Sequence, residues 1–96
     1  MKVFFTKNAE AGLDKIFTYV VSNFNFEQKQ KTRDEIVSSI LKLGEFPELG
    51  AKLAGQVDKR VLFVAGNAVV YEIVLRKDPC IVIRNIRPRS MADSKN

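Results

Sequence analysis

Hydrophobic periodicity changes after Leu43, and the change confines the chain to a mixed architecture. From Ala9 to Leu43 the apolar residues recur at helical spacing. From Arg60 onward they gather into short runs, Arg60 to Val64, Ala68 to Val74 and Cys80 to Ile86. Runs of that length, rich in Val, Ile and Tyr, read as strands. The gaps between them, Ala65-Gly66-Asn67 and Arg76-Lys77-Asp78-Pro79, hold the Gly, Asn, Asp and Pro that tight reversals require, so the three runs predict successive antiparallel strands. Cys80-Ile81-Val82-Ile83 is apolar on both alternating faces, which predicts a central strand covered on both sides.

Before these strands the pattern is helical. Lys2 to Thr6 reads as a short strand, and Asn8 after it as a helix cap. Ala9, Leu13, Ile16, Phe17, Val20, Val21 and Phe24 then follow the spacing of one apolar helix face. Ser22, Asn23 and Asn25 end that helix, and Asn25 with Gln28 forms a capping box for a second helix from about Phe26. The second helix has a polar first half and carries Ile36, Val37, Ile40, Leu41 and Leu43 on its inner side, with Gly44 just past its last turn. Pro47 prevents extension, so Glu45 to Gly50 is a compact connector. The expected fold is therefore α+β: an N-terminal strand, an antiparallel helix hairpin, then a three-stranded antiparallel meander. The hairpin should cover one face of the sheet and leave the other more open.

Ninety-six residues make one domain, 1–96, close to the lower limit for a self-sufficient core; residues 90–96 read as a loose polar tail. The lone Cys80 cannot form an internal disulfide and suits a reduced, cytoplasmic setting. The amino end has too short an apolar core for a signal peptide, and no stretch approaches the ~20 apolar residues that span a bilayer, so no membrane role is expected.

Charge is placed unevenly. Residues 1–48 carry seven Lys/Arg and seven Asp/Glu, whereas residues 49–96 carry nine and four, so the net charge of +5 arises entirely in the strand-rich half. Three of those cations, Arg84, Arg87 and Arg89, leave the last strand together, and Lys59 and Arg60 introduce the first strand of the meander. Such a surface recognises phosphate or an acidic protein partner.

The chemistry expected of an enzyme is largely missing. No histidine is present for proton transfer near neutral pH, and one cysteine with scattered carboxylates makes no metal-ligand set, so neither metal nor cofactor is expected. Glycines 12, 44, 50, 55 and 66 form no phosphate-cradling loop. Ser38 and Ser39 lie mid-helix without a base, and Tyr71, beside Glu72 in a strand, reads as sheet filling. Histidine-free RNA cleavage would have to use Lys59, Arg60, Arg87 and Arg89, with arginines stabilising a phosphorane and a lysine as base.

Several segments, taken in order, resemble the RelE/ParE superfamily of type II toxins, in particular its ParE-like branch. These are Ala9 to Leu13, Leu43-Gly44-Glu45-Phe46-Pro47-Glu48-Leu49-Gly50, Arg60 with Leu62, Val70-Tyr71-Glu72-Ile73, and Ile81-Val82-Ile83-Arg84-Asn85-Ile86-Arg87-Pro88-Arg89. The resemblance implies the RelE/ParE toxin-like fold and one of two activities: poisoning of DNA gyrase, as in ParE-like members, or ribosome-dependent cleavage of messenger RNA, as in RelE-like ones. A phosphate-contacting arginine of the RelE-like enzymes corresponds to Ala68 here. Arg87 stands where many relatives have histidine, and the tail has no aromatic residue. Arg89 matches a family arginine and Lys59 lies near a family lysine, which leaves Lys59 and Arg89 as a vestigial phosphate site.

The branch therefore implies a gyrase-inhibiting, non-enzymatic toxin that stabilises plasmids. Arg60, Arg84, Arg87 and Arg89 would meet the target. A cognate antitoxin would silence it by laying an extended, partly helical segment on the helix hairpin, reaching Ile16, Phe17, Phe24 or the exposed side of the second helix, and by adding a strand at the sheet edge. A RelE-like endoribonuclease and a non-toxic partner-binding domain stand as the alternatives.

Overall fold

The computed structural model describes residues 1–23 and 26–87, with the backbone alone at 19–23, 26 and 29. Along the chain come β1 (Lys2–Phe5), α1 (Lys7–Asn23), α2 (Phe26–Lys42), β2 (Ala51–Leu53), β3 (Gln56–Val64), β4 (Asn67–Val74) and β5 (Cys80–Arg87). The strands form one sheet in the order β1-β5-β4-β3-β2. β1 runs parallel to β5, and every other neighbouring pair is antiparallel. The expected α+β fold is thus present, enlarged by β2.

The strand β2 and the first half of β3 gave no sequence signal, for a physical reason. Gln56, Val57 and Asp58 are exposed, and of the three only Gln56 is paired with β2, opposite Leu53, so no burial imposes an apolar alternation there. Their reversal is made by Gly55 at φ +77. At the next hairpin Ala65 (φ 51) and Gly66 (φ 79) both take the left-handed conformation that a two-residue turn demands, and the Asn67 amide donates to the Val64 and Ala65 carbonyls.

One face of the sheet holds the core. Val64, Val69, Tyr71, Ile81, Ile83 and Ile86 pack there against Ala9 and Ile16 of α1 and Ile36, Ile40 and Leu43 of α2. The buried stripe of α2 advances by four and then three residues, the period of one helix face. Leu41, expected on that face, falls one residue out of phase and is 60% exposed. At Gly12, α1 lies directly on β5: a Cβ there would sit 2.0 Å from the Ile86 carbonyl oxygen. The absence of a side chain sets how closely helix and strand approach.

Two further expectations need correction. α1 is capped by Thr6, not Asn8: the Thr6 hydroxyl accepts the Ala9 N–H at 3.1 Å, and the Thr6 carbonyl accepts that of Glu10. β5 is an interior strand flanked by β1 and β4, while β4 is the central one; helices cover only one face of β5, and Val82 remains half-buried on the other. The Asn25 capping position, Phe24 and the tail 90–96 lie outside the described residues.

Candidate functional site

The sheet face turned away from the helices is not covered by any other element among the described residues. Its composition follows from strand register. Phe4, Val82, Glu72 and Lys59 pair in succession across β1, β5, β4 and β3. A second row runs Asn85, Val70, Val61 and Ala51, and a third Arg87, Ala68 and Phe63. Side chains of one row project from the same face, because directly opposed residues share a side.

A β-bulge shapes the middle of this surface. Tyr71 pairs with Ile83 and Val70 with Asn85, so Arg84 is one residue more than the ladder needs. The extra residue keeps Ile83 and Ile86 both on the core side despite their spacing of three. Thr6 steadies the irregularity: its N–H donates to the Ile83 carbonyl, and its hydroxyl lies 2.9 Å from that oxygen and 3.0 Å from the Arg84 carbonyl oxygen. One side chain therefore both caps α1 and fixes the bulge that presents Arg84.

The candidate residues separate into two groups. Arg84 is exposed and donates from Nε to Glu72 Oε1 at 2.8 Å, with Nη2 on the same oxygen. Arg87 is exposed at the end of β5, and Lys59 stands opposite Glu72. These three share the uncovered face. Arg60 does not. It pairs with Tyr71 on the core side, where its side chain is 13% exposed and Nη1 donates to the Gly50 carbonyl at 2.7 Å and to the Glu48 carbonyl at 3.4 Å. Its other contact is Glu48 Oε1, 3.8 Å from Nη2. Placed among the target-facing cations by sequence, Arg60 instead holds the connector after α2. Arg89 lies outside the described residues, so its pairing with Lys59 in a phosphate site stays a sequence expectation.

Tyr71 completes that clamp, and no sequence signal pointed to its role beyond sheet filling. Its hydroxyl donates to the Pro47 carbonyl at 2.6 Å and accepts the Gly50 N–H at 2.8 Å. Burial raises its pKa above the usual 10.0; the Gly50 N–H and the Arg60 guanidinium oppose the rise, and Glu48 adds to it. Both hydrogen-bonding capacities of this phenol are thus committed to the chain itself. Gly50 is required here, since a Cβ would meet the Val61 carbonyl oxygen at 2.7 Å and the Tyr71 ring at 2.8 Å.

Of the residues expected to touch an antitoxin, Ile16 is core and Phe17 half-buried, while Phe24 is outside the described residues. A core position for Ile16 removes it from any docking surface in the folded chain. Among the described residues no three His, Cys, Asp or Glu side chains gather as a metal would need, and no helix is long and apolar enough to cross a membrane.

A helix hairpin thus backs one face of the sheet, and the other face is open and carries Lys59, Arg84 and Arg87. The family is shown by sequence: the profile described as ParE toxin of type II toxin-antitoxin system, parDE, matches residues 3–93, and the chain belongs to that family. Its fold is similar to that of a solved chain titled "Chromosomal ParDE TA system from P. aeruginosa", with a TM-score of 0.74 and 24% sequence identity over 91% of this chain and 94% of that one. No curated protein sequence matches it significantly.

Proposed function

We propose that the protein inhibits DNA gyrase and so arrests DNA replication, acting in the cytoplasm by binding and not by cutting a bond, and that a cognate antitoxin neutralises it. Membership of the ParE toxin family supports the type II toxin class. The single observation that carries the choice of mechanism is the pairing of Ala68 with Arg87 on the uncovered face. Ala68 is where a RelE-like enzyme has its phosphate-contacting arginine, and Arg87 is where relatives have histidine. At this pair the chain offers one permanently charged guanidinium and no group that exchanges a proton near neutral pH. Loss of one transition-state contact costs roughly 3 kcal/mol, and loss of an acid costs further orders of magnitude in rate. The chain contains no histidine, and the Tyr71 hydroxyl is occupied by Pro47 and Gly50.

On this reading Arg84 and Arg87 belong to the target-recognition surface. An edge suited to strand addition by an antitoxin is also present: β2 pairs with β3 only as far as Val61, and among the described residues no strand lies beside Leu62 to Val64 on that side. A supercoiling assay with purified gyrase tests the proposal. Excess toxin is expected to stop supercoiling and to accumulate cleaved gyrase–DNA complexes, and Arg87→Glu to weaken both; undisturbed supercoiling at toxin excess over enzyme would overturn the gyrase assignment.

A further inference from the structure

We propose that the uncovered sheet face is a docking surface for a protein segment that combines acidic with apolar side chains. The proposal deepens the recognition surface described above by naming the chemistry of what binds there, and it rests on Arg84 and Arg87 acting in recognition, whichever protein is bound.

In a sheet with helices on one side only, strand alternation should turn polar residues outward. Here it does so only in part, at Lys59, Glu72, Asn85 and Arg87. The outward residues include Phe4, Val57, Val61, Phe63, Val70 and Val82, with Phe63 73% exposed, Val57 92% and Phe4 48%. Apolar side chains spread over four strands, with charged groups set among them, are what a binding face presents to solvent. At the β1 end it deepens into a cleft of about 610 Å³ lined by Lys2, Phe4, Arg76, Asp78, Pro79 and Cys80.

The charges around this apolar field select the occupant. Lys2, Lys59, Arg76, Arg84 and Arg87 stand on or around it against two carboxylates, Glu72, already paired with Arg84, and Asp78 in the cleft. A second copy of the chain would bring these cations against each other. Nucleic acid fits poorly for a different reason: tracking a phosphate backbone takes a line of free cations with aromatic planes between them. This face instead has valines at its centre and separates Phe4 and Phe63 on β1 and β3, with β4 and β5 between. Carboxylates of an acidic segment would meet Lys59, Arg84 and Arg87, while its apolar side chains cover Val61, Val70 and Val82.

The test uses the full chain, isotope-labelled for NMR, and a synthetic extended peptide alternating glutamate with leucine. Amide shifts are expected to cluster at Phe4, Val61, Phe63, Val70, Val82 and Asn85. The lysine-for-glutamate peptide should bind at least about tenfold more weakly, as should the acidic peptide to Phe63→Glu or Arg87→Glu. Both substituted side chains are solvent-exposed, and a retained amide spectrum shows that each variant stays folded. Shifts confined to the helix hairpin, equal binding of the two peptides, displacement of the acidic peptide by duplex DNA, or the same shifts appearing on self-association alone would each overturn the proposal. Peptide binding with unimpaired gyrase would strike only the gyrase reading, and gyrase inhibition without acidic-peptide binding would strike only this one.

Discussion

Tyr71 and Arg60 occupy neighbouring strands as a cross-strand pair, and together they decide where the connector after α2 lies. Removing the Tyr71 hydroxyl leaves the Gly50 N–H and the Pro47 carbonyl without their partner, and an unsatisfied buried polar group costs about 1–3 kcal/mol. Tyr71→Phe should therefore lower the unfolding free energy by about that amount in urea denaturation. The pH dependence has a definite sign. Because burial holds the folded-state pKa above 10.0, the neutral phenol stabilises the native state below that pH, and its contribution is lost as pH climbs through the folded value. Stability of the wild-type chain should thus fall more steeply above pH 10 than that of Tyr71→Phe. Equal slopes for the two proteins would contradict the assigned network.

At the scale of elements, the close approach of α1 to β5 rests on Gly12. Alanine is the better helix former by about 1 kcal/mol, so propensity alone makes Gly12→Ala stabilising. Overpacking outweighs it. A Cβ 2.0 Å from a backbone oxygen cannot be relieved by turning a side chain, and shifts of packed elements cost about 1–3 kcal/mol or more. Thermal unfolding should show a clear net destabilisation of this variant; a raised Tm would mean that helix and strand are less closely seated. The two helices were legible because burial of one face imposes its period on the sequence, as in Ile36, Ile40 and Leu43. Thr6 as cap was not legible, since its choice over Asn8 depends on the β5 carbonyls it also binds. Short β2 escaped for the related reason that its residues are stabilised by a neighbour's hydrogen bonds.

Across the whole molecule, the chain closes on itself by laying its first strand parallel to its last. β1 supplies Val3 and Phe5 to the core and shields the outer edge of β5. Fully burying such a side chain stabilises by about 1.5–3 kcal/mol, and Val3 and Phe5 are partly buried, so removing residues 1–5 should cost on the order of 2–3 kcal/mol through these two side chains. That is a large share of the lower end of the ~5–15 kcal/mol available to a domain. The truncated chain is expected to lose cooperative unfolding and to aggregate through the bared strand, which calorimetry and light scattering would register. A truncated chain that unfolded cooperatively and stayed monodisperse would show the sheet complete without β1.

Apart from β2 and the first half of β3, the kinds of element and their order were set by the residues alone, because hydrophobic period and turn chemistry are local properties that survive any packing. Segment order also carried the family resemblance. Tertiary structure decided which cations share a surface: Arg60 and Lys59 are adjacent in sequence yet face opposite sides of the sheet, and the bulge at Arg84 shifts the alternation of β5 so that Ile83 and Ile86 share one side. Facing is a matter of register between strands distant along the chain, and register depends on hydrogen bonds that no single segment contains.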